Sequence, residues 1–267
     1  LGVVTTTSCL ASLLSAQSTP DPKAANHWGL EGLRTAYCVR FLVEPKAAAE
    51  QLRTGFTLLP AQQDSTLDPA LQQVIRSQPE FASWAPSNLC FYYLDAVQMG
   101  KRRIVERDPG RYQLLAAWSF ATREQGNGPR RDLVVDLYAS RENLLNAAHD
   151  AEIRLHELES KFYDRPADST PDIYSLKIGK TQLTWTGRAV GDSSRVDRPI
   201  SEQLTIRGLR HGDLPAQLVL APTWRRQVVG SLRVEGKGDL AKMLKASPIR
   251  FVGPQYHGGS GELRFSR

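Results

Sequence analysis

The sequence predicts a mainly β protein of the α+β class, an antiparallel sheet closed or nearly closed on itself, with one long helix and several short ones. Three observations carry this reading. About eight to ten apolar, β-branched and aromatic runs are separated by Gly, Pro and Asn-Gly turn signals. One segment, residues 141–162, carries a helical stripe, with Leu144, Ala148, Ala151, Leu155, Leu158 and Phe162 spaced 4, 3, 4, 3, 4. No internal repeat breaks the chain into units. A sheet with few helices must hide its apolar face, and closure does this without leaving edges.

The elements follow in order. Residues 1–16 carry no charge, and a polar, Pro-containing run follows them. This matches the apolar region and cleavage zone of a secretory signal lacking its basic start, with a disordered tail as the alternative. Residues 1–22 are set aside as that leader, and residues 23–267 are read as a single domain. Ala36 to Val43 is the first strand, ended by Glu44-Pro45, and AAAEQLR begins a short helix. In LDPALQQVIRSQ, Asp68 is the cap and Pro69 the first helical residue. Pro79 and Pro86 make the next stretch irregular. LCFYYLDAVQM and RYQLLAAWSFAT are strands on either side of a turn at Asp108-Pro109-Gly110. Asn127-Gly128 marks a hairpin into DLVVDLYA. After the long helix, SLKIGKTQLTWTG is a hairpin turning at Gly179-Lys180. EQLTIRGLR, AQLVLAPTW and QVVGSLRVEG are strands, DLAKMLK is a short helix, and residues 247–266 are a closing pair joined by glycines.

Composition excludes several function classes. The chain has 267 residues, 41% apolar and 23% charged, enough to bury a full core. Its formal charge is +6, but the arginine pairs Arg102-Arg103, Arg130-Arg131 and Arg225-Arg226 are dispersed and not interleaved with aromatics. No nucleic-acid partner is expected on that footprint. No apolar run is long enough for a membrane-spanning helix. Of three cysteines, Cys9 falls in the leader; Cys38 and Cys90 sit in strand-like runs and form either a disulfide or two buried thiols. No Cys/His spacing fits zinc, and no cofactor motif appears, so neither a metal nor a cofactor is expected.

The order of these elements resembles the acetoacetate decarboxylase-like superfamily. YCVRFLVEPKAAAEQLRTGF looks like its opening strand, Pro turn and short helix; ENLLNAAHDAEI looks like its small-Gly-Arg-Glu helix. DRPISEQLTIRGLRHG, LPAQLVLAPTWRRQVVGSLRV and LKASPIRFVGPQYHGGSGELRFS are similar to its later strands. The resemblance spans roughly residues 36–267. It implies a β-cone or double barrel enclosing a pocket, with a possible homo-oligomer formed through sheet surfaces. In that family a lysine, made nucleophilic by a neighbouring lysine in an apolar site, forms an imine with a β-keto acid. An amine must be neutral to attack a carbonyl, and burial beside a second cation achieves this.

This chain departs from the pattern. The family's Pro-Lys-Lys run falls on Leu155-His156-Glu157, and His149-Asp150 stands where the family has Arg-Glu. An imidazole forms no imine. The nearest amine is Lys161, and the family's pocket carboxylate is replaced by Gln113, an amide. The resemblance therefore implies a small-molecule site, for an organic or keto acid, that has lost Schiff-base decarboxylation. An exported structural protein with a filled barrel, and a lyase or hydratase using His156, are the alternatives. The candidate catalytic residues are Lys161 and His156; the candidate ligand-binding residues are Gln113, His149 and Arg225. His149, Glu152 and His156 on one helix face also suit a metal in principle, but the recognised His-Glu-x-x-His arrangement is absent, and alternating charge fits a solvated face.

Overall fold

The computed structural model describes residues 27–99, 102–105, 113–124, 127–140, 142–150, 152–163, 172–209, 212–221 and 223–265. The leader and the Asp108-Pro109-Gly110 turn lie outside them. The chain begins with a long strand β1 (His27–Val43), helix α1 (Pro45–Ala49), β2 (Phe56–Leu58) and helix α2 (Pro69–Ser77). Then come β3 (Ala85–Met99), β4 (Arg102–Val105), β5 (Gln113–Glu124) and β6 (Arg130–Ala139). Helix α3 (Glu142–Asp150) precedes β7 (Leu155–Glu157), β8 (Glu159–Tyr163), β9 (Asp172–Ile178) and β10 (Thr181–Val196). The last part holds β11 (Ile200–Arg207), β12 (Asp213–Leu220), β13 (Thr223–Gly236), helix α4 (Asp239–Ala246), β14 (Arg250–Val252), β15 (Gln255–His257) and β16 (Gly261–Phe265).

Seven strands close a barrel. The order β3-β5-β6-β11-β12-β16-β1 is completed by β1 pairing back onto β3. Its lumen is packed by Trp28, Leu30, Leu115, Val134, Leu204 and Leu218, with other apolar side chains. A second layer, β15-β13-β10-β9-β8, continues from β1 and folds over the outside of β1, β3, β5 and β6. The space between layers is filled by aromatic rings. Tyr37 lies 5.0 Å from Tyr174, and Tyr174 lies 4.9 Å from Trp185, ring centre to ring centre. Helix α2 covers a small third cluster of Leu42, Ala61, Leu67 and Leu71. The mainly β architecture is as expected, with sixteen strands among the described residues instead of eight to ten.

Local signals explain several elements. Asp68 accepts the Ala70 amide at 2.9 Å and Pro69 opens α2, a satisfied N-terminus. Gly179 turns the β9–β10 hairpin at φ +54°. Cys38 and Cys90 are direct cross-strand partners and form a disulfide, which settles the open alternative. Pro86 was expected in an irregular stretch but lies inside β3, opposite Leu42.

The long helix over 141–162 is corrected. Helix α3 ends at Asp150, and Glu152 adopts φ +58°, a conformation that stops a helix. Ile153 then bridges to Gly208, and β7 joins β6 in parallel. The apolar stripe belongs to two structures. Leu144 and Ala148 face the barrel cluster from the helix, whereas Leu158 packs in the core between layers. Ladder bonds to β6 replaced the continuing helical turns.

Candidate functional site

The chemistry collects on the outer face of β6 and β7. Tyr138 and Asp136 are two apart on β6, so both project from one face. β7 pairs Tyr138 with His156, which brings the imidazole beside them. His156 Nε2 lies 3.2 Å from Asp136 Oδ1, the Tyr138 hydroxyl donates to Asp136 Oδ2 at 3.2 Å, and the His156 and Tyr138 rings stand 5.8 Å apart. One carboxylate therefore receives both neighbours. Because Nε2 faces an acceptor, it carries the proton of the neutral ring and Nδ1 keeps the lone pair. Burial first, then the charge and hydrogen bond of Asp136, push the Tyr138 phenol well up, so it stays a donor.

These groups line a cleft of about 380 Å³ whose walls include Trp118, Asp136, Tyr138, His156, Lys180 and Asp239. The volume suits a small organic molecule. A neighbouring cleft of about 250 Å³ between α1 and α4 shares Gln51 and Asp239 with it. Behind Asp136, Arg53 bonds Asp213 and the Val134 carbonyl, fixing the α1–β2 connection against the barrel wall. Burial, then Arg207, bring the Arg53 guanidinium down to about 10.

The structure sorts the candidates from the sequence. His156 lies in the cleft, on a strand. His149 is exposed near the end of α3, and Glu152 sits in the turn that follows, so the three residues share no helix face. No cluster of three metal-ligating side chains occurs among the described residues. Arg225 is exposed on β13, away from the cleft. Gln113 opens β5 opposite Leu94, and Lys161 pairs with Ser175 in β8; both side chains lie outside the described ones. Lys180, at the β9–β10 turn, is exposed and also lines the cleft. Asp136 and Tyr138 were not singled out. Their i,i+2 spacing within DLVVDLYA was visible, but the face they share was not.

No family model matches the chain, and no curated protein matches it. Solved structures do. The acetoacetate decarboxylase of Legionella pneumophila subsp. pneumophila str. Philadelphia 1 superposes with a TM-score of 0.50 at 10% identity, over 94% of this chain and 93% of that one. The enduracididine biosynthesis enzyme MppR, solved in complex with pyruvate, superposes with a TM-score of 0.51 at 13% identity, over 94% and 90%. The fold is acetoacetate decarboxylase-like, as the element order implied. No helix among the described residues is long and apolar enough to cross a membrane.

Proposed function

We propose that the cleft binds a small organic acid bearing a carbonyl group, and that His156 moves a proton on it without forming an imine. The observation that carries this reading is the Asp136–His156 contact at a strand position where the resemblance sets the family's lysine run. Asp136 orients the ring through Nε2, so Nδ1 is placed to take a proton from carbon next to a carbonyl. Tyr138, held neutral, completes the carboxylate's hydrogen bonding. The step balances without a co-reactant: a C–H proton passes to His156, an enolate forms, and the proton returns to carbon. Lys180 is the ammonium nearest in kind to a carboxylate anchor among the described cleft residues.

The test is hydrogen exchange into the methyl group of pyruvate and of acetoacetate in D2O, followed by NMR. The chain is expected to accelerate exchange and His156→Gln to lose roughly 100-fold or more of that acceleration. Borohydride added with either compound is expected to leave no stoichiometric adduct. An adduct on Lys180 or Lys161 would put imine chemistry back, and exchange unchanged in His156→Gln would remove His156 from the reaction. The rival reading, a filled structural protein, draws on the aromatic packing between layers; it predicts that neither compound perturbs the cleft. The Cys38–Cys90 disulfide supports placing the chain in an oxidising compartment, in line with an export signal.

A further inference from the structure

The inner face of β13 runs past the core it helps to cover. Val234, Leu232 and Val228 pack against the aromatic core from this face. Arg226 and Trp224 continue the same alternation beyond it, where Trp224 is 44% exposed. The core narrows where Gly187 of β10 faces Gly230 of β13, and Val228 is its last side chain on this face. A side chain at Gly187 would run into the Trp185 ring and the Val229 carbonyl. Past that point β10 shifts register between Val190 and Ser194, around Gly191 at φ +71°. Such a bulge re-aims side chains, and here it turns Ser193 toward β15.

Three polar groups meet on this shelf. Trp224 pairs with His257 across β13 and β15, so His257 shares the face of Trp224 and Arg226. The Arg226 Nε donates to the Ser193 hydroxyl, and Ser193 Oγ lies 3.3 Å from His257 Nε2. A guanidinium only donates, so Ser193 accepts from it and its own proton is free to point at the imidazole. Burial, then Arg226, hold the imidazole below its ordinary range, so it is neutral near pH 7. Arg226 has no carboxylate partner among the described residues. Asp197 is taken by Arg195, and Asp192 is exposed on the bulge. An unpaired guanidinium, a hydroxyl, a neutral imidazole and a bare indole thus lie together on one open face.

We propose that this shelf binds a flat organic carboxylate of about benzoate size, its ring on Trp224 and its carboxylate on the terminal nitrogens of Arg226. The guanidinium fork matches a carboxylate, and the indole offers a planar apolar surface. This site is separate from the His156 cleft and does not depend on its chemistry.

Titrating the full chain with benzoate, acetate, inorganic phosphate and benzyl alcohol tests it. The readouts are the Trp224 indole N–H and His257 ring signals, assigned by their loss in Trp224→Phe and His257→Gln. Benzoate is expected to move both signals saturably and to bind roughly ten-fold more tightly than the other three, each of which lacks the ring or the carboxylate. Arg226→Gln is expected to weaken benzoate by roughly ten-fold or more with the remaining spectrum unchanged. Ser193→Ala, which frees Arg226 Nε without removing the charge, is expected to retain binding. Benzoate that leaves Trp224 and His257 unmoved, that binds no better than phosphate or benzyl alcohol, or that binds Arg226→Gln equally well overturns the proposal. A response confined to His156 would assign the anion to the cleft and overturn the shelf alone. A shelf response without exchange at the cleft would leave the shelf standing and the cleft reading not.

Discussion

Two carboxylates on one strand behave as opposites. Asp132 and Asp136 lie four residues apart on β6, a spacing that puts both on one face of a regular strand. Yet Asp132 sits on the lumen side with Val134, near Glu202, and Asp136 sits outside with Trp118 and His156. The cause is a bulge. Ser119 of β5 pairs with Val134 and Trp118 pairs with Asp136, so Val135 has no partner on β5. One extra residue reverses the alternation. Inside, burial pushes the Asp132 carboxyl up, although Arg130 contacts it at 3.0 Å and pulls the other way. Outside, Asp136 is open enough to meet solvent and is shared by a phenol and an imidazole. An inward acid is held by structure; an outward one is available for chemistry.

Removing the bulge tests the comparison at its cause. Deleting Val135 leaves Val134 opposite Ser119 and Asp136 opposite Trp118 in regular alternation, so both keep their faces. What is lost is the Val135 side chain from the core between the layers and the local bend of the bulge. The expected cost is about 2–4 kcal/mol, that of a buried aliphatic side chain. Thermal melting measures it, with the His156 ring signals expected to keep their environment; a chain in which they move would show that the bend, and not the alternation, sets the outward acid.

Smaller changes should separate the two acids without unfolding either face. Asp136→Asn keeps the shape of the side chain but offers His156 a neutral partner and can hold it in the wrong tautomer. We expect the exchange activity to fall roughly 100-fold, with the melting temperature nearly unchanged because the group is partly exposed. Asp132→Asn should do the reverse. It leaves exchange intact, and because burial outweighs the Arg130 contact at 3.0 Å, an amide that still accepts from Arg130 should raise the denaturant midpoint at neutral pH. Equal effects of the two variants on exchange would make the distinction meaningless.

The bulge also explains what the sequence concealed. Turn and cap chemistry is local, so Asp68-Pro69 and Gly179-Lys180 announced their elements correctly. The DLVVDLYA run was legible as a strand, but Val135 looks like any inward residue, and no glycine marks the break. The 141–162 stretch misled for a related reason. A stripe at 4, 3, 4, 3, 4 is what a helix needs, yet Leu155 on β7 and Leu158, between β7 and β8, satisfy it while packing against different cores. Glu152 supplies the positive φ without glycine, because pairing of Ile153 with Gly208 and of β7 with β6 holds the chain there. His156 was found for its chemistry. Its partners needed the β6–β7 pairing, and Ser193, Arg226 and His257 needed three strands at once.

The last effect concerns Glu202, and its sign is the informative part. Glu202 faces the apolar lumen beside Leu204 and Leu218, with no hydrogen bond or ion pair among the described residues. Burial, then the charge of Asp132, raise its carboxyl from 4.5 to about 7. The folded chain therefore holds a proton that the unfolded chain has already released, so the fold is favoured below about pH 4.5 and loses that advantage as pH rises through about 7. The full loss is about 3 kcal/mol. Glu202→Gln replaces the acid with a group that never charges. It should be more stable than the parent by about 2–3 kcal/mol at pH 8 and nearly equal to it at pH 5. Denaturant midpoints at the two pH values measure this directly. A variant less stable than the parent at pH 8 would mean that the ionised carboxylate is itself held by a partner in the lumen, and the contrast between the strand's inner and outer acids would then have to be drawn by partners instead of by burial.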